Sequence, residues 1–92
     1  MLYMNIITWE PPQRDAVLKR FATLGVKLPA GWKMMGMWGE VTGGRVFELV
    51  DTSDTRDPKL SVQINHEWSD LCKIESVGVM NPEEMLKVVM GK

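Results

Sequence analysis

The chain is short of the residues from which most catalytic centres are assembled. It has one cysteine, Cys72, and one histidine, His66. A single thiol permits no intrachain disulfide and no multi-cysteine metal site, and a single histidine excludes the His-x-x-x-His zinc spacing. No Gly-x-Ser-x-Gly elbow occurs, and Gly36, Gly39, Gly43 and Gly44 form no phosphate-binding loop leading into a helix. A nucleotide is therefore not expected. Excess charge is also lacking: 11 basic against 12 acidic side chains give a formal net charge of −1. Nucleic acid and anionic membranes call for a clustered basic surface, so neither is an expected partner. Met1 to Trp9 is apolar but has no basic flank and stops at Glu10-Pro11-Pro12, too early for a membrane span or a signal peptide. A domain this small without disulfide staples points to a reducing, cytoplasmic setting.

What remains is the composition of one globular domain. The 92 residues are 45% apolar and 25% charged, and no linker-like stretch divides them. A single domain over 1–92 is expected, with its core in 1–80 and an added helix over 82–91. A chain of this length buries only about 60–65% of its unfolded surface, so the core should be thin.

Leu2 to Trp9 reads as a strand, with Tyr3, Ile6, Ile7, Thr8 and Trp9 ahead of the prolines. Both of its parities are largely apolar, which suits a strand at the centre of a sheet. Pro12 to Leu24 reads as a helix with Val17, Leu18, Phe21, Ala22 and Leu24 on one stripe and Gly25 as its stop. Trp32 to Val41 and Arg45 to Asp51 follow as strands about the Gly43-Gly44 pair, a hairpin signal because such turns use positive φ. Asp51 to Pro58 is polar, and Ser53, Asp54 and Asp57 suit the cap of a second helix. These acids also loosely resemble a calcium loop, but its central Gly and terminal Glu are missing. In the second helix Leu60, Ile64, Trp68 and Leu71 share a face. Cys72 to Met80 is a fourth strand. Asn81-Pro82-Glu83-Glu84 then opens a terminal helix, with a capping Asn, Pro at the first position and acids at the positive end.

The order strand–helix–strand–strand–helix–strand predicts an α+β, ferredoxin-like βαββαβ fold, a four-stranded antiparallel sheet with two helices on one face. The strands carry apolar residues on both parities, so the second face also needs cover. A homodimer closing sheet on sheet is the expected solution, since two-fold dimers are the commonest oligomers.

Few side chains could then carry chemistry. Cys72, at a strand start, is expected to be buried and inert. Met34, Met35 and Met37 suit an adaptable apolar pocket. Trp32, Met34, Gly36 and Trp38 share a parity on the second strand, and Gly36 leaves space between large neighbours. On the third strand Glu48 stands between Val46 and Val50, where a carboxylate must be paired, protonated or wet. If Phe47 and Leu49 pack under the helices, Glu48 and the tryptophan parity face the open side. The ligand-binding candidates are therefore Trp32, Met34, Trp38, Glu48 and His66, with no metal site, no cofactor and no assigned catalytic residue.

Arg20-Phe21 with Gly25, Leu28-Pro29-Ala30-Gly31, Trp38 and Arg45-Val46-Phe47-Glu48-Leu49, then Trp68-Ser69-Asp70-Leu71, Ile74-Glu75, Val77 and Val79, carry a resemblance over roughly residues 1–80. With them the chain resembles the DUF3303 family of uncharacterised small proteins, placed in the dimeric α/β barrel superfamily. Glu48, Gly36 and Gly78 depart from the family pattern, where glutamine, an acid and proline are usual. The resemblance implies a dimeric barrel and supplies no activity. Three functions stay open: a module binding a small apolar or aromatic molecule in a cavity beside the sheet, a structural or interaction protein without ligand, and a cofactor-free monooxygenase or isomerase using Glu48 or His66 as acid or base.

Overall fold

The computed structural model describes residues 1–25, 28–52 and 58–91. Strand β1 (Leu2–Thr8) leads through a 3-10 turn at Pro11–Gln13 into helix α1 (Arg14–Leu24). Strands β2 (Lys33–Gly39) and β3 (Arg45–Asp51), helix α2 (Pro58–Trp68), strand β4 (Lys73–Val79) and helix α3 (Pro82–Val89) follow. The sheet is antiparallel throughout, in the order β2-β3-β1-β4. This is the ferredoxin-like arrangement, with the doubly apolar β1 in an interior position, plus a C-terminal helix.

Local signals act as their chemistry dictates. The φ of Gly25 is 69°, and its amide donates to the Phe21 carbonyl to close α1. Gly43 takes φ 80° in the β2–β3 loop, where its carbonyl accepts the indole N–H of Trp9 at 3.0 Å. Asn81 Oδ1 accepts from the Glu83 amide at 2.7 Å, satisfying one of the free N–H groups that open α3. The Ser53, Asp54 and Asp57 capping expectation, and the calcium-loop comparison with it, lie outside the described residues.

The core sits between the sheet and α1 and α2. Ile7, Trp9, Val17 and Val46 are buried together, and Phe21, Trp68, Leu71, Cys72 and Ile74 pack around them. Val50 is fully buried as well, so Val46, Glu48 and Val50 point to the helices. The strand period then sends Phe47 and Leu49 to the other face. This corrects the expected parity of β3. The helical stripe is narrow: Val17 and Phe21 turn inward while Leu18 and Leu24 are about half exposed. So small an apolar layer is filled by the valines of β3, and Phe47 and Leu49 are left outside.

A bulge divides β2. Met34 pairs with Val50 but Gly36 pairs with Leu49, so Met35 is the extra residue. Met34 therefore shares the helix side with Val50, whereas Gly36 and Trp38, opposite Leu49 and Phe47, share the open side. Trp38 is on the open face as expected, but the common parity of Trp32, Met34, Gly36 and Trp38 does not hold.

The middle of that open face is apolar, with Arg45 of β3 and Lys73 and Glu75 of β4 on the same side toward its border. Adjacent register positions bring together Met4, Ile6, Phe47, Leu49 and Val77, with Trp38 at the edge and 54% exposed. Helix α3 covers none of it. Among the described residues no Cα of α3 lies within 8 Å of another element, and Leu86, Val88 and Val89 are largely exposed. A helix with so broad an apolar surface is expected to dock on its own subunit or on a partner, and its one approach to the sheet among the described residues is Met85 beside Met1, Gly78 and Val79.

Candidate functional site

Between the sheet and the two core helices lies a cavity of about 80 Å³. One water needs roughly 10–15 Å³ on this measure, so the space suits a small organic molecule. Phe21 comes from α1, Ile64 and Trp68 from α2, Ile7 and Ile74 from the sheet, and Trp32 from the segment entering β2. Phe21 and Trp68 stack with ring centroids 4.7 Å apart, which fixes one wall.

Glu48 brings a carboxyl into this apolar setting. It is 7% exposed and stands opposite Asn5 of β1 and Met37 of β2 in the sheet register. It has no hydrogen bond or ion pair with any described residue, and burial alone pushes its carboxyl above the ordinary glutamate range. Arg20 and Arg45 are committed elsewhere. Arg20 grips Asp70 through two bonds of 2.8 Å, reaches the Glu67 carbonyl at 3.0 Å and lies over the Trp68 ring. Arg45 is on the opposite face, bonded to Glu40 at 2.6 Å and over Phe47. Asp70 and Glu40 are held low, Asp70 by its bonds to Arg20 and Glu40 by Thr42 and then Arg45.

Asn5 and Glu67 are the other polar side chains on the cavity wall. Asn5 Oδ1 accepts from the Ser76 hydroxyl at 2.7 Å, which leaves the amide NH2 without a partner among the described residues. Cys72 is partly buried, its thiol donates to the Trp68 carbonyl at 3.4 Å, and burial pushes it up, so it is a poor nucleophile.

Of the five candidates, the cavity brings together Trp32 and Glu48. Met34 faces the same layer opposite Val50 but does not line the cavity, and Trp38 is on the other face of the sheet. His66 is exposed near the end of α2, in an open groove with Arg20 and Asp70, outside the cavity. Glu48 beneath the helices overturns its expected position on the open side. Asn5 and Glu67 were not anticipated. A signal for Asn5 exists, since it is the one amide within Leu2–Thr8 and shares the parity of Ile7.

Among the described residues no three His, Cys, Asp or Glu side chains gather to hold a metal ion, and no helix is long and apolar enough to cross a membrane. Searches of curated proteins and of solved structures returned no match. Compared with protein families, the sequence matches over residues 1–92 the one described as a domain of unknown function, DUF3303, and the chain belongs to that family.

Proposed function

We propose that this domain binds a small apolar or aromatic molecule in the cavity under α1 and α2. One observation carries the reading: an aromatic-lined space with a single buried, unpartnered carboxyl in its wall. Apolar walls with a few placed polar groups are the usual make-up of ligand sites, and an unpaired buried acid has no packing benefit to explain it. Toluene and indole are suitable probes. Either should shift the NMR signals of Phe21, Trp32 and Trp68, and Ile64→Trp, which fills the space, should abolish the shifts. Signals that stay unmoved at millimolar probe would refute the cavity as a binding site.

The uncovered sheet face favours a second, compatible reading, a homodimer closed sheet to sheet in the manner of dimeric α/β barrels. A compact 10.5 kDa protein exposes roughly 5,400 Å², whereas this chain exposes 6789 Å². The excess exceeds the roughly 800 Å² that each partner buries in a standard interface. Light scattering should therefore give about twice the chain mass. An enzymatic reading keeps Glu48 as acid or base, but His66 outside the cavity offers no second group to work with it. A free Cys72 is in keeping with a cytoplasmic setting.

A further inference from the structure

Among the described residues, the charged groups on the cavity wall are of one sign. Glu48 and Glu67 are both acids, Asn5 is neutral, and no lysine or arginine among the described residues is on the wall. Glu67 is exposed and stands at the mouth, while Glu48 is deep and without a partner. Among the described residues Arg20, the cation of α1 next to the cavity-lining Phe21, is bonded to Asp70 rather than to Glu48, and Arg45 is on the other face of the sheet. Phe21 and Trp32 add π-faced walls, to which ammonium groups are drawn.

From this geometry we infer that the cavity takes a small organic amine, a single ring or short branched hydrocarbon carrying one protonated nitrogen, with Glu48 as its ion-pair partner and Glu67 at the entrance. The inference rests on the cavity reading and narrows its ligand class. An anion would meet two carboxylates. A neutral molecule would leave Glu48 either protonated or unpaired. An ammonium supplies the missing partner through charge-assisted hydrogen bonds.

Proton linkage follows. Without ligand, burial favours the neutral carboxyl of Glu48. Among the described residues, the groups that face it add no positive charge: Asn5 from β1, Met37 from β2, Phe21 and Leu24 from α1, Glu67 from α2, and the thiol of Cys72 ahead of β4. A bound ammonium favours the carboxylate, so association at a pH where Glu48 is still protonated releases a proton from its Oε atom to solvent.

Benzylamine, benzyl alcohol and benzoate share one skeleton and differ in charge, so they test this directly. Calorimetric titration of the full chain at neutral pH should show benzylamine binding about tenfold to a hundredfold tighter than benzyl alcohol, the worth of one charge-assisted bond, with benzoate weakest. Repeating the amine titration at decreasing pH in buffers of different ionisation heat should reveal proton release that grows as Glu48 becomes protonated in the free protein. Glu48→Gln should bring amine and alcohol to nearly equal affinity. Alcohol or benzoate binding as tightly as the amine, or a preference retained in Glu48→Gln, would overturn the amine assignment and leave the cavity reading standing. Binding of none of the three to the unsubstituted chain would remove both. The three-probe comparison needs no variant, so a folding defect in Glu48→Gln cannot obscure it.

Discussion

Replacing Glu48 by leucine should make this protein more stable at neutral pH, and the gain should fade in acid. The residue is 7% exposed and its carboxyl, whose oxygens open onto the cavity, has no partner among the described residues. Its burial therefore costs up to the roughly 1–3 kcal/mol of an unsatisfied buried polar group. Leucine is close in volume and belongs among Val46, Val50 and Ile7. A gain of about 1–3 kcal/mol corresponds to roughly 5–20 °C in Tm for a domain of this size. Because the folded state holds the Glu48 proton more tightly than the unfolded chain, stability falls as pH rises from the ordinary carboxylate value of 4.5 through the raised folded value, then levels off. The difference between Glu48→Leu and the parent should thus be small in acid and largest near neutrality. Asp70 and Glu40, whose carboxyls are held low, act in the opposite sense, losing their contribution in acid in both proteins, so the difference removes them. Thermal melts followed by circular dichroism from acid to neutral pH measure this, with Glu48→Gln separating charge from polarity. A leucine variant that melts below the parent at neutral pH, or a gain that does not change with pH, would refute the picture of an unpaired buried acid.

Trp9→Ala should cost about 3–5 kcal/mol in denaturant titration, because a nearly buried indole is lost together with its bond to the Gly43 carbonyl. A cost under 1 kcal/mol would show that Trp9 is peripheral. Trp38→Glu combined with Phe47→Glu should give a folded monomer by light scattering, while Trp9→Ala should not change the mass of the fraction that stays folded. Truncation after Met80 removes the exposed apolar surface of α3, and should weaken self-association with little effect on the fold of the remaining chain. An unchanged dimer would rule α3 out of the interface.

Much of the fold was legible from periodicity and caps. The strand–helix order, the stop at Gly25, the Gly43 turn and the Asn81 cap each follow from a local rule that tertiary packing had no reason to override. The failures are equally local. In Arg45–Asp51 both parities are apolar, so alternation alone cannot decide which side faces the helices. The larger Phe47 and Leu49 look like the better core, yet the space under α1 and α2 is shallow and takes Val46 and Val50. Phe47→Ala is accordingly an open-face substitution and should cost less than the roughly 3–5 kcal/mol of truncating a core phenylalanine. Trp32 and Trp38 show the second limit. Six residues apart, they belong on one side of a regular strand, and only the bulge at Met35 separates them. Glu48 was recognisable as an anomaly from its valine neighbours, whereas Glu67 becomes a site residue only when α2 folds over the sheet.

The bulge at Met35 also bears on how copies of this chain can meet. β2 and β4 are the edges of the sheet, and an edge strand offers unpaired amides and carbonyls to any extended segment. Regular, flat edges invite open-ended strand addition. An irregular β2 twists its backbone away from such a template, and Lys73 and Glu75 put charges along β4. Ribbon-like growth through hydrogen bonding is thereby discouraged at both borders, and association is steered toward the broad face, where a two-fold contact closes on itself and stops at two.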